Sequence, residues 1–97
     1  MKTFIVLSTA GVHRDLAKGT REQPFWDAHA AFIDGLVAEG FILLGGPLTD
    51  EGGAMIVVQA ADEATVRARL APDPWYHQQI LDLVSIKRWD IFIDQRM

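Results

Sequence analysis

The chain has 97 residues, of which 49% are hydrophobic and 23% are charged, with a net charge of −4 and no cysteine. This size and composition predict one folded domain, residues 1–97. The lack of cysteine excludes disulfides, thiolate catalysis and cysteine metal ligands, and we expect a cytoplasmic protein. Without a basic cluster we expect no nucleic-acid partner, and no apolar run has the length of a membrane span.

Four segments have the apolar, β-branched or aromatic composition of strands. They are residues 3–9, 41–44, 55–59 and 84–93. The first helix is predicted to carry Pro24 in its first turn and to end at Gly40 as a left-handed cap. Asp62 is expected to cap a second helix over residues 63–70, and Asp73 precedes a short helical turn predicted from Pro74 to about residue 81.

The resulting order β-α-β-β-α-β predicts an α+β, ferredoxin-like fold with a four-stranded antiparallel sheet. Both helices should lie on one face of this sheet. The first strand is apolar on both sides, with Phe4 and Val6 on one and Ile5 and Leu7 on the other. We therefore expect a homodimer in which a second copy covers the helix-free face.

Two connecting segments are unusual. Residues 11–23 form a long polar stretch, and loops of that length in compact domains are often functional. Residues 45–53 are rich in glycine and other turn residues, which predicts a turn after the second strand.

His29 interrupts an apolar helical face. The spacing of the first helix places five side chains on one stripe: Phe25, His29, Phe32, Ile33 and Leu36. An imidazole in such a stripe can serve as a proton-transfer group near neutral pH. The alternative is a structural histidine that is hydrogen-bonded to backbone.

The chain also resembles a known family. The pattern His29-x-x-Phe32-x-x-x-Leu36-x-x-x-Gly40-x-x-Leu43-x-x-Gly46-Pro47 is similar to the first half of YCII-related domains. The second half fits through an apolar strand, the capped alanine-rich helix at 62–70, Asp73-Pro74-Trp75, and a last strand with Val84 and Trp89. The resemblance covers about residues 4–93.

This resemblance implies a ferredoxin-like fold that dimerises as an α/β barrel. It also implies a site centred on a histidine and an aspartate, which correspond to His29 and Asp73. One branch of the family removes hydrogen chloride from a chlorinated hydroxyquinone-type compound. Asp73 has a competing interpretation as a helix N-cap, and one carboxylate can fill both roles.

We predict that a small-molecule substrate contacts a set of glycine, proline, aromatic and basic residues. The set is Gly46, Pro47, Phe32, Trp75 and Arg21. Trp75 and Tyr76 have a competing interpretation as packing residues. Arg14 or Arg21 could pair with a substrate carboxylate or phenolate if residues 11–23 fold over the pocket.

We predict that neither a metal nor another cofactor is required. His13 and His77 are the other imidazoles, and their spacing relative to His29 matches no regular metal motif.

Two classes of function stay open. The first is a small cofactor-free enzyme in which His29 and Asp73 perform acid–base chemistry, such as elimination, isomerisation or dehydrochlorination, on a cyclic or aromatic compound. The second is a non-catalytic dimer that binds a small ligand or another protein. An open pocket with His29 and Asp73 within hydrogen-bonding distance would favour the enzyme.

Overall fold

The structure, a computed structural model, describes residues 1–49 and 52–96. Its elements follow the predicted β-α-β-β-α-β order, and the predicted short helical turn at Pro74 lies before the last strand. They are β1 (Lys2–Ala10), α1 (Trp26–Ala38), β2 (Ile42–Pro47), β3 (Ala54–Ala60), α2 (Glu63–Leu70), α3 (Pro74–His77) and β4 (Leu81–Arg88). One turn of 3-10 helix, Thr20–Glu22, lies in the long segment before α1.

The four strands form one sheet in the order β2-β3-β1-β4, and all three neighbouring pairs are antiparallel. This is the topology of the predicted α+β, ferredoxin-like fold, which is confirmed. The two longest chain crossovers place α1 between β1 and β2, and α2 between β3 and β4.

The main core lies between the sheet and the two longer helices. Phe4 and Val6 of β1 are buried there against Leu36 of α1 and Val66 of α2. Ile5 and Leu7 alternate with them and are only half-buried. The period-two pattern of β1 therefore separates a helix-covered face from a face that the helices leave open.

Helix α1 ends as predicted but begins later than predicted. Gly40 has a φ of 79°, its N–H donates to Val37, and the N–H of Phe41 donates to Leu36, which together form a Schellman cap. At the other end Phe25 has a φ of 63°, so the helix begins at Trp26 and Pro24 lies outside it.

Strand β2 continues through residues that were predicted to be a turn. Gly45, Gly46 and Pro47 pair with β3, so the turn prediction was wrong for these three residues. Proline is tolerated because β2 lies at the sheet edge and Pro47 is its last residue. The hairpin closes where Leu48 N donates to Gly53 O over 2.8 Å. Residues 50 and 51 of the predicted turn lie outside the described residues.

Strand β4 lies three residues earlier than predicted and ends earlier, at Arg88. Its start is set by β1, because Leu81 pairs with Ala10, the last residue of β1, and the pairing ends where Arg88 lies opposite Phe4. The predicted extension of α3 to about residue 81 was also wrong, since β4 already begins there. A register shift after Leu7 leaves Val84 unpaired and exposed.

Within residues 1–49 and 52–96, no helix combines the length and the apolar character that crossing a bilayer requires.

Candidate active site

A cavity of about 270 Å³ opens between α1 and the inner face of the sheet. Most of its wall is apolar, and its volume suits a small, single-ring ligand. The polar side chains in the wall, apart from two tryptophans, belong to Ser8, Arg14, Thr20, His29, Asp73 and Tyr76.

His29 and Asp73 form a hydrogen-bonded pair in this wall. The Nδ1 atom of His29 lies 2.8 Å from Oδ1 and 3.0 Å from Oδ2 of Asp73. Asp73 is 1% exposed, and the side chain of His29 is 12% exposed. The contact predicted between these two residues is therefore present in the structure.

Asp73 also caps helix α3. Its Oδ1 accepts a hydrogen bond from the backbone N–H of Trp75 at 3.0 Å, while Pro74 occupies the first helical position. The two roles that the sequence offered for Asp73 are thus combined in one carboxylate. Because the cap fixes the position of Asp73, its carboxylate holds the imidazole of His29 in one orientation.

An ionised carboxylate only accepts hydrogen bonds, which assigns the neutral imidazole proton to Nδ1. The Nε2 atom of His29 then carries the lone pair. Within the described residues Nε2 makes no hydrogen bond. It is also not a buried atom, so a molecule in the cavity can reach it. His29 can therefore take up a proton at Nε2 while Asp73 stabilises the resulting imidazolium.

Two tryptophans fix the plane of the imidazole. The rings of His29 and Trp75 stack in parallel, with centroids 3.7 Å apart and an interplanar angle of 4°. Trp26 lies against both rings, with centroids 5.8 Å from His29 and 5.7 Å from Trp75. One face of Trp75 is thus occupied by His29 and is not free to stack on a ligand.

The start of α1 is strained next to this cluster. Phe25 has the left-handed backbone conformation, which is uncommon for a bulky residue other than glycine. The indole N–H of Trp75 donates to the carbonyl of the preceding Pro24 at 2.9 Å. This link between α3 and the start of α1 helps to hold the entry to the helix, and with it the position of His29.

A second polar pair, Ser8 and Tyr76, lies in the same wall. The hydroxyl oxygens are 2.6 Å apart, and Ser8 is buried. Burial raises the pKa of Tyr76 above its ordinary value, and the nearby charge of Asp73 adds to this effect, while the hydrogen bond from Ser8 opposes it. Tyr76 is therefore held as a neutral phenol that can act as a hydrogen-bond donor or acceptor in the cavity.

The long segment before α1 folds over the cavity as an ordered loop. The buried side chain of Gln23 fastens it from within, because its Nε2 donates to the carbonyls of Asp15, Lys18 and Gly19 at 2.7, 3.1 and 3.2 Å. Its Oε1 accepts from Asp15 N at 2.9 Å. This loop brings Arg14 into the cavity wall.

Residues 3–90 match the sequence model of the YCII-related domain. The chain belongs to the YCII-related domain family. The resemblance predicted from the sequence is thereby confirmed. No curated protein sequence matches this chain.

A solved structure shares the fold of this YCII-related domain. It is 5-chloro-2-hydroxyhydroquinone dehydrochlorinase from Burkholderia phenoliruptrix AC1100, in complex with 2,5-dihydroxybenzoquinone. The two chains are 20% identical, with a TM-score of 0.66, and the match covers 90% of this chain and 93% of the other.

Five of the seven predicted site residues line the cavity. They are His29, Asp73, Gly46, Pro47 and Trp75. Gly46 pairs with Met55 on the outer side of the edge strand, whereas Gly45 pairs with Ile56 on the cavity side. Paired residues share a face of a sheet, so Gly46 belongs to the outer face together with Met55. Only the backbone of Gly46 therefore contributes to the cavity wall.

Phe32 and Arg21 lie outside the cavity wall. Phe32 packs only on the main core, whereas Ile33 packs on the core and also lines the cavity, together with Val37. The cause is helix geometry, since a residue three positions after His29 is rotated by about 60° and one four positions after by about 40° the other way. Arg21 is exposed on the 3-10 helix, where its side chain reaches solvent.

Sequence reasoning missed Ser8 and Gln23, and it regarded Tyr76 as a packing residue. Ser8 had a detectable signal, because its hydroxyl interrupts the inward side of an apolar strand two residues after Val6. Gln23 had none, since its partners are backbone carbonyls of a loop without regular structure.

The other two histidines do not join His29. His13 Nδ1 lies 3.1 Å from the carbonyl of Gln78. Within residues 1–49 and 52–96, no group of three or more histidine or acidic side chains is placed to hold a metal ion.

Proposed function

We propose that this YCII-related protein is a small, cofactor-free enzyme that uses His29 and Asp73 for acid–base catalysis on a small cyclic or aromatic compound. The observation that carries the proposal is the 2.8 Å contact between Nδ1 of His29 and the buried carboxylate of Asp73. A purely structural histidine would not need an open cavity beside it.

The proposed chemistry begins with proton transfer to Nε2 of His29. Asp73 holds the tautomer that presents this lone pair, and it stabilises the positive charge that develops on the ring. The parallel indole of Trp75 keeps the imidazole from rotating and offers an electron-rich face to the imidazolium. The apolar wall excludes water, which strengthens these interactions.

The reaction we propose is an elimination or tautomerisation. In a dehydrochlorination, Nε2 takes a proton from the substrate, the remaining electron pair forms the new π bond, and the carbon–chlorine bond breaks as chloride leaves. The related fold of a dehydrochlorinase that was solved with a dihydroxybenzoquinone supports a ring of this size and kind.

The test is chloride release from 5-chloro-2-hydroxyhydroquinone and other halogenated hydroxyquinones. We expect turnover by the parent and a loss of about 10²-fold or more in kcat for His29→Gln. Asp73→Asn should retain the fold and lose about tenfold or more, because the charge that stabilises the imidazolium is gone. His13→Gln is the matched control, since His13 lies outside the cavity wall, and it should keep the parent rate.

A His29→Gln variant with the parent rate would contradict the proposal. Tight ring binding by a parent protein that releases no chloride and promotes no solvent exchange of ring protons would instead support the alternative, a non-catalytic ligand-binding protein.

We also propose that two copies pair through the helix-free face of the sheet. Ile5 and Leu7 of β1 and Met55 of β3 lie on this face. Pairing would remove their apolar surface from water. Sedimentation at micromolar concentration should give about twice the chain mass, and a monomer at that concentration would contradict this assembly.

A further inference from the structure

Arg14 joins the cavity to a second cleft. It lines the wall of the cavity together with Thr20 and Pro47, and the same three residues line a neighbouring cleft of about 470 Å³. We propose that Arg14 binds an anionic oxygen group of the ligand, either a carboxylate or a phenolate, and so selects ring compounds that carry a negative charge. The inference rests on the proposed function, which supplies the ring-shaped substrate, and it adds that this substrate carries a negative charge.

The side chain of Arg14 contributes a guanidinium to the cavity wall. Its Nε is buried, and it makes no hydrogen bond to any residue in the described part of the chain. A buried donor without a partner is costly, and native structures satisfy almost all of them with protein, ligand or water. The Nε atom lies beside Gly52, so a ligand oxygen would contact the two terminal nitrogens of the guanidinium instead. In the described residues these nitrogens make no hydrogen bond, and they are not among the buried atoms, so a ligand in the cavity can reach them.

No carboxylate in the described ranges lies within 4.0 Å of the guanidinium of Arg14. Lys18, in the same loop, lies 4.0 Å from Asp15, and both are exposed. Arg21 is also exposed and lies outside the cavity wall. Of the basic side chains on the loop, Arg14 is thus the one that combines a place in the wall with an unused donor.

The backbone around Arg14 is held in place before any ligand arrives. Its N–H donates to Gly11 O at 3.1 Å, and the neighbouring N–H of His13 donates to Gln79 O at 2.9 Å. Gly11 itself approaches Gln79 so closely that a Cβ there would lie 2.0 Å from the carbonyl oxygen. Together with Gln23, these contacts fix the loop, so that ordering it on binding costs little.

The surroundings favour a charged partner for Arg14. Buried apolar side chains such as Val6, Ile42 and Leu81 line the cavity, and an apolar wall strengthens an ion pair relative to water. A guanidinium also presents donors in a fork that matches two carboxylate oxygens. A ring that carries one anionic oxygen group would therefore be bound by its charge at Arg14 and by its apolar faces along the wall.

The experiment compares benzoate with benzamide, two rings of similar size that differ in charge. The indole N–H resonances of Trp26 and Trp75, which line the cavity, report binding by NMR. We expect the parent to bind benzoate about ten- to a hundredfold more tightly than benzamide. Arg14→Gln should lose this preference while its benzamide affinity stays the same, and Arg14→Lys should keep part of it. Arg21→Gln, a loop arginine outside the wall, is the matched control and should behave as the parent.

A phenolate arm separates the two possible anions. Binding of 4-nitrophenol is measured below and above the pH at which the free phenol ionises. Tighter binding above that pH, lost in Arg14→Gln, would assign the site to phenolates as well as carboxylates.

Equal affinities of the parent for benzoate and benzamide would overturn the inference, and so would a benzoate preference that persists in Arg14→Gln. A preference lost in His29→Gln but kept in Arg14→Gln would assign the anion to the imidazolium and also overturn it. The proposed catalysis is tested separately, because chloride release that is unchanged in Arg14→Gln would overturn the role of Arg14 and leave the proposed function intact.

Discussion

The two ends of the cavity differ in how their polar atoms are satisfied. The dyad end is formed by His29, Asp73 and Trp75. There the carboxylate of Asp73 accepts hydrogen bonds from the imidazole of His29 and from the backbone N–H of Trp75, and the rings of His29 and Trp75 stack on each other. At the loop end, formed by Arg14 and the loop that Gln23 fastens, the backbone is fixed but the arginine Nε has no partner in the described residues.

The polar groups of the dyad end are therefore held by partners within the protein, whereas Arg14 is the group for which we propose a ligand as partner. In the proposed function, the imidazole of His29 would be oriented before substrate binds. The loop end holds a positive charge whose hydrogen-bonding capacity is incompletely used.

Removing the carboxylate should damage the dyad end most. Asp73→Ala loses the cap of α3 and leaves the imidazole N–H without an acceptor, so we expect the free energy of unfolding to fall by about 2–4 kcal/mol. Asp73→Asn keeps an acceptor oxygen and should lose about 1 kcal/mol. Urea unfolding measures both values. Equal losses in the two variants would mean that the hydrogen bonds of Asp73 do not stabilise this end.

Removing the side chain of Gln23, which holds the loop, should destabilise the structure only locally. Gln23→Ala loses its side-chain hydrogen bonds within the loop, and we expect a loss of about 1–2 kcal/mol that is confined to residues 11–23. Hydrogen exchange at the N–H of Asp15 should accelerate, while exchange in the sheet stays slow. Glu22→Ala changes the exposed neighbouring residue and serves as the control. Unaltered exchange at Asp15 would show that Gln23 does not hold the loop.

Tyr76 reports on the wall between the two ends, and it is the only tyrosine in the chain. Burial raises its pKa above the ordinary value of 10.0, so phenolate absorbance should develop only above that pH. The folded protein then holds the phenol proton more tightly than the unfolded chain does, so this stabilisation is complete below pH 10 and is lost as pH rises through the folded-state pKa. Ser8→Ala removes a hydrogen bond that lowers the pKa, and it should raise the pKa further. A lower pKa in Ser8→Ala would contradict this assignment.

The ion pair of Arg96 and Asp94 at the surface can be compared with the buried pair of His29 and Asp73. Hydrogen bonds from Arg96 lower the pKa of Asp94 to about 2. The small stabilisation from this pair is present above the ordinary carboxyl pKa of 3.8 and is lost as pH falls through about 2. NMR titration of Asp94 should show that midpoint, and Arg96→Gln should return it towards 3.8 without altering benzoate binding. An unshifted midpoint in the parent would show that solvent screens the pair.

The parts of the structure that the sequence predicted correctly depend on neighbours along the chain. Helix α2 has its predicted bounds because the Asp62 side chain accepts from Thr65 N within the same turn. The end of α1 at Gly40 was predictable because this cap involves only the last turn of the helix and one left-handed residue. The pairing of His29 with Asp73 was predicted from an interrupted apolar stripe, an Asp-Pro helix start and the family resemblance, and their catalytic role stays a prediction.

Other features were decided by contacts between distant segments. Strand β4 begins where Leu81 pairs with the last residue of β1, and a register shift turns Val84 outwards, which no alternation within β4 itself could reveal. Phe32 and Ile33 both pack against the main core, and the placement of α1 on the sheet brings only Ile33 to the cavity wall as well.

The order of the elements, the inward side of β1 and the ends of α2 could all be predicted from the sequence. These follow from hydrophobic periods and caps, whose causes lie within one or two turns of chain. Only the tertiary structure decided that Arg14, and not Arg21, enters the cavity wall. Both lie in the same polar loop, and their positions depend on Gln23 and on the approach of Gly11 to Gln79, contacts that form only once the sheet and α3 have come together.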